Sequence, residues 1–130
     1  MSRTQDRKNA FVLLFSNTFG IDNSEDFKSQ FTKELFNGVN KNIEIIDDII
    51  RKNLKNWKIE RISRVAKCAM RIGVYEVLKE EVPIAVAINE SVEIAKIFGS
   101  ESDANYVQAV LSSVSSFYKK YMQDNNLTLE

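Results

Sequence analysis

The segment Val82-Pro83-Ile84-Ala85-Val86-Ala87-Ile88-Asn89-Glu90-Ser91-Val92-Glu93-Ile94-Ala95-Lys96-Ile97-Phe98-Gly99 is bounded by a proline and a glycine. Pro83 falls near a first helical turn, where a missing N–H costs nothing, and Gly99 is placed to stop the same helix. Its apolar run Val82–Ile88, like Ala10–Phe15, is far short of the roughly 18 to 20 residues of a membrane span. The segment therefore reads as one helix of a globular fold.

Working outward, the rest of the chain also reads as helix. Pro83 is the single proline in 130 residues, and alternating β-branched stretches are few. A first helix is expected from Thr4 to about Thr18, with a stripe of Ala10, Phe11, Leu14 and Phe15 and a stop at Gly20. Ser24 is a candidate N-cap for a second, through Phe27, Phe31, Leu35 and Phe36 to Gly38. A third runs from about Asn40 through Ile43, Ile46, Ile49 and Ile50 to Leu54, and a fourth from about Ile59 to Leu78. Ser102 or Ser100 caps a last long helix reaching about Tyr121, and the polar tail 123–130 is expected to fray. Short connections complete an all-α bundle in one domain.

Composition narrows function. With no histidine, imidazole-based triads, HExxH sites and histidine-ligated zinc are excluded. Four isolated glycines supply no phosphate-cradling loop. The lone Cys68 suits a reducing cytoplasm and reads as a packing residue. Ser2–Asn9 is polar, which does not match a secretory leader. No catalytic residue, metal site or cofactor is expected. Glu90 and Glu93, beside Asn89, read as a polar clamp between helices rather than a di-metal site: di-iron bundles use a Glu-x-x-His pair, and an all-carboxylate site would need several more converging ligands.

Net charge is zero but uneven. Residues 1–50 carry six basic and eight acidic side chains, residues 51–71 eight basic against Glu60, and residues 72–130 four basic and nine acidic. On the fourth helix, Ile62, Val65, Ala69 and Ile72 share one face while Arg64, Lys67 and Arg71 form an opposite basic stripe. Such a stripe is either a solvated, paired surface or an auxiliary polyanion site. Arg7 lies four residues before Phe11 and seven before Leu14, so it projects toward the apolar stripe. It is either paired with a buried carboxylate, Glu90 or Glu93 being the candidates, or held at a rim within reach of phosphate. Trp57, between Lys55 and Lys58, either stacks on a base or plugs helices together. Tyr106, near Ser102 and Asn105 at a helix start, has the make-up of a weak phosphate-and-base site.

The Val82–Gly99 segment resembles the most characteristic stretch of the NusB family of transcription antitermination factors. Arg71-Ile72-Gly73-Val74-Tyr75-Glu76 is similar to that family's arginine-led motif, and Trp57 and Arg61 stand where its members often carry them. Arg7, Ala10, Leu14 and Phe15 are similar to its first helix, and Tyr106-Val107 with Val110-Leu111 to its last. The resemblance covers essentially the whole chain. It implies six to seven helices in two three-helix halves, about 1–56 and 57–122. It implies no catalysis, but binding of the boxA element of nascent RNA together with the ribosomal small-subunit protein NusE, in a complex with RNA polymerase and other Nus factors. By resemblance Arg3, Arg7 and Lys8, with Ser102, Asn105 and Tyr106, form the RNA surface, and Phe15 and Ala66 meet the protein partner. Pairing as a homodimer that covers the RNA face is the alternative.

Several positions depart from the family pattern. Thr4 and Gln5 stand where further basic residues are common, Ala66 where an acidic residue is common, and Asn105 where Lys or Arg is. Gln108-Ala109 replaces the usual Asn-Gly. Fewer fixed charges predict a shallower salt dependence, by roughly 0.7 in log–log slope per lost phosphate contact on a single strand.

Overall fold

The computed structural model describes residues 2–22, 27–55 and 58–130. Ser24 and Trp57 lie outside these residues. Six α-helices and one 3₁₀ turn follow in order: α1 Arg3–Asn17, α2 Gln30–Lys41, α3 Ile43–Lys52, the turn Ile59–Arg61, α4 Arg64–Lys79, α5 Ile84–Phe98 and α6 Glu101–Asp124. No strand occurs among the described residues, so the all-α expectation holds.

Capping explains where the boundaries differ from expectation. α2 begins at Gln30 because the Ser29 hydroxyl accepts from the Thr32 N–H, and Phe27 precedes the helix. Gly38 does not stop it; the helix runs to Lys41. The expected helix Ile59–Leu78 is broken at Ser63, which adopts an extended ψ and accepts from the Ala66 N–H. Ile62 is buried, but from an extended segment rather than a helical face. Glu80 closes α4 in the left-handed conformation, and Pro83 is the N-cap of α5 rather than its first helical residue. Ser100, not Ser102, caps α6 in a reciprocal box with Asp103. In the tail the Glu130 N–H donates to Asn42 Oδ1 at 2.7 Å, and Leu127 packs against the core.

α4 is the hub, touching α1, α2, α3, α5 and α6. It buries Ala66, Cys68, Ala69, Met70, Ile72, Val74 and Val77. Gly73 permits a close approach of α5 and α6: a Cβ there would lie 2.6 Å from Leu111 Cδ1 and 2.7 Å from Ser91 Oγ. α1 lies along α5 in the same direction, since Thr4 and Arg7 meet Glu90 and Phe11 stacks on Phe98. That alignment sets the start of α6 beyond the middle of α1. No described helix is long and apolar enough to cross a membrane.

Candidate nucleic-acid interface

The first turn of α1 supplies cations of two kinds. The Arg3 side chain is 66% exposed, with its guanidinium carbon 4.3 Å from the centre of the Phe31 ring and Nη1 3.8 Å from Asp6 Oδ2. Lys8 is half-buried on the same helix. Arg7 is only 2% exposed. Its Nε–H is shared by both oxygens of Glu76 at 2.9 Å, and Nη1 lies 3.5 Å from Glu90 Oε1. The spacing that turned Arg7 inward thus resolves as a buried pair, and Arg7 presents no charge at the surface. Glu76, from α4, is a partner the sequence did not reveal. Burial pushes its carboxyl up, against the opposing pull of Arg7. Glu90 also accepts from Thr4 Oγ1 at 2.7 Å, so the clamp between helices is Glu90 alone. Glu93 is exposed beside Lys96 at 3.7 Å, and Asn89 is exposed.

The start of α6 supplies the second element. Ser102 and Asn105 are exposed and Tyr106 is half-buried. The Tyr106 hydroxyl is buried without a hydrogen-bond partner, and burial raises its pKa. Two caps interlock beneath it. Ser63 Oγ donates to Asp103 Oδ1 at 2.9 Å while accepting from the Ala66 N–H, and Asp103 Oδ2 accepts from the Ser100 N–H. The N-termini of α4 and α6 are thereby held side by side.

The two cationic and aromatic elements are not one pocket. Thr4 and Arg7 adjoin Glu90, whereas α6 begins just past Phe98, eight residues or about 12 Å further along the α5 axis. Arg3 and Phe31 also line a cavity of about 610 Å³ between α2 and α4. Arg3, Lys33, Lys41 and Lys79 are matched there by Glu34, Glu76, Glu81 and Glu130, so the cavity wall as a whole carries no net charge.

The basic stripe on α4 is smaller than its sequence promised. Arg71 is bound by Nε and Nη2 to the two oxygens of Asp47, both at 2.9 Å, and is no free cation. Arg64 is exposed, stacks on Phe19 at 4.2 Å and donates to the Thr18 carbonyl; Lys67 is half-buried. Cys68 is buried, and burial pushes its thiol up, as befits a packing residue.

Ala66 is 1% exposed and lies in the core, so here it offers a partner no surface. Phe15 is half-buried within an aromatic ladder: Phe98 on Phe11 at 4.7 Å, Phe11 on Phe15 at 5.7 Å, Phe15 on Phe19 at 5.2 Å. Phe19, Ile21, Ile97 and Phe98 are each at least 40% exposed, an apolar concentration unusual for a surface with no partner. Single-sequence reading missed Phe19 and Phe98 because only the parallel packing of α1 and α5 joins them. Among the described residues no group of three or more His, Cys, Asp or Glu side chains is arranged to hold a metal.

Residues 2–116 match the NusB family. A transcription antitermination protein NusB from Clostridium botulinum is 38% identical over 130 aligned positions, covering 88% of this chain and 98% of that protein. The structure of T. maritima NusB is similar with a TM-score of 0.81 and 28% identity, covering 93% of this chain and 97% of the other. A chain from a crystal structure of antitermination factors NusB and NusE in complex with dsRNA gives a TM-score of 0.70 over 89% of this chain and 98% of its own. At 24% identity that likeness concerns the fold.

Proposed function

The chain belongs to the NusB family, and from that premise we propose that it is a non-catalytic RNA-binding transcription factor. It binds a boxA-type element of nascent ribosomal RNA together with the ribosomal protein NusE, joins RNA polymerase with other Nus factors, and supports antitermination in the cytoplasm. The family match over residues 2–116 carries this reading.

The geometry favours particular residues for it. Arg3 and Lys8 supply phosphate contacts from α1, while Ser102, Asn105 and Tyr106 supply polar groups and a ring at the positive end of α6. Arg7 acts from inside the fold, by holding α1. The partner surface is the exposed ladder of Phe15, Phe19 and Phe98 with Ile97, and Arg64 and Lys67 flank it as auxiliary cations. One domain carries both surfaces.

Transcription in vitro over a boxA-bearing template ending in a terminator tests the proposal. Adding this chain to polymerase, NusE and the other Nus factors should raise read-through, and deleting boxA should abolish the gain. Read-through indifferent to boxA contradicts the reading.

A further inference from the structure

We propose that Phe31 is a positioning residue for RNA binding: its ring is the platform that holds the Arg3 guanidinium at the protein surface, oriented before a phosphate arrives. The inference rests on the RNA-binding reading above and extends it to a side chain on a different helix from the cations.

Arg3 sits in the first turn of α1, where a long side chain at a helix end ordinarily samples many rotamers. Here its guanidinium carbon is 4.3 Å from the Phe31 ring centre, and Asp6 Oδ2 lies 3.8 Å from Nη1. A cation over an aromatic face is attracted by the ring quadrupole and gives up little of its outward charge. The side chain remains 66% exposed, so it is held in place and still faces solvent.

The platform itself is fixed. Thr32, next to Phe31, is fully buried and donates from Oγ1 to the Asp6 carbonyl at 3.0 Å, which locks the first turn of α2 to the first turn of α1. Ser29 caps α2 just before the ring. Arg7 is also within 5.3 Å of the ring centre, but its two bonds to Glu76 hold it without Phe31. Removing the ring therefore loosens Arg3, which keeps only the 3.8 Å approach of Asp6, and leaves Arg7 held. Orienting a side chain beforehand lowers the ordering cost of binding without adding a contact. Loss of the ring then weakens affinity while the number of phosphates neutralised, and so the salt slope, stays unchanged.

The experiment is a double-mutant cycle on the full chain, titrated against labelled boxA-type RNA at two salt concentrations. Phe31→Leu should weaken binding by about two- to five-fold, the range of an exposed cation–π contact, at unchanged salt slope. Phe31→Trp should restore it. In an Arg3→Gln background Phe31→Leu should cost nothing further, whereas a merely structural role for the ring costs the same in both backgrounds. Wild-type affinity in Phe31→Leu, or additive losses, overturns the proposal.

The side-chain NMR signals of Arg3 in the free protein separate this inference from the RNA reading. Ring-current shifts present in the wild type and lost in Phe31→Leu support the platform even if the wild type binds no RNA. Signals unmoved by the substitution overturn the platform whatever the RNA result.

Discussion

Arg7 Nε donates to both carboxylate oxygens of Glu76, at 2.9 Å each, across 69 residues of sequence. The bond ties α1 to the central helix, with both side chains under a tenth exposed. Breaking a buried pair from one side strands the other charge. Glu76→Ala should therefore cost about 3 kcal/mol in urea unfolding, the lower end for such pairs, since Glu90 still neighbours Arg7. Arg7→Lys should also destabilise, because a lysine's donors all sit on one nitrogen and cannot take the places of Nε at Glu76 and Nη1 at Glu90 together.

Surface and buried cations should separate in RNA titrations. Arg3→Gln and Lys8→Gln should each reduce the log–log salt slope by about 0.7 if each meets one phosphate of a single strand. Arg71→Gln should leave the slope unchanged and lower stability instead, since Arg71 is committed to Asp47. Anisotropy at several salt concentrations, alongside thermal melts, distinguishes the two behaviours.

Gly73 is buried where α4 meets α5 and α6, and an added methyl would collide with Leu111 and Ser91. Overpacking of this kind costs about 1–3 kcal/mol. Gly73→Ala should show that loss in denaturant unfolding despite alanine's better helix propensity. A neutral effect would mean that α6 moves away freely.

All four tyrosines have raised pKa values, and Tyr121 is pushed up to about 12 by burial and by its hydrogen bond to Asp48. An unfolded phenol titrates near 10. The group's stabilising contribution is thus complete below about 10 and lost as pH rises through about 12. Absorbance at the phenolate band should show the last ionisation near that pH, and Tyr121→Phe should remove it while flattening the alkaline loss of stability.

What the sequence disclosed was local. Pro83 and Gly99 punctuate α5 within its own length, and the spacing of Arg7 to Phe11 and Leu14 showed that its side chain turns inward. Boundaries failed where two residues could serve the same purpose. Ser29 caps α2 just before Gln30, and Ser63 interrupts an apolar pattern that otherwise continues through Ile62. The deeper misses are contacts distant along the chain. Glu76 stood in a recognised motif, yet nothing local says it binds Arg7. Ala66 sits at a position expected to meet a partner, but the crossing of α4 beneath its neighbours buries it. Asn42 meets Glu130 across 88 residues, a contact that the polar composition of the tail does not announce.

RNA binding by this chain is measured most directly by fluorescence anisotropy with labelled boxA-type RNA at two salt concentrations, with and without purified NusE. Binding should be salt-sensitive, tighten when NusE is added and weaken in Arg3→Gln and Tyr106→Ala. RNA affinity indifferent to NusE and to both substitutions, in a folded protein, would contradict it.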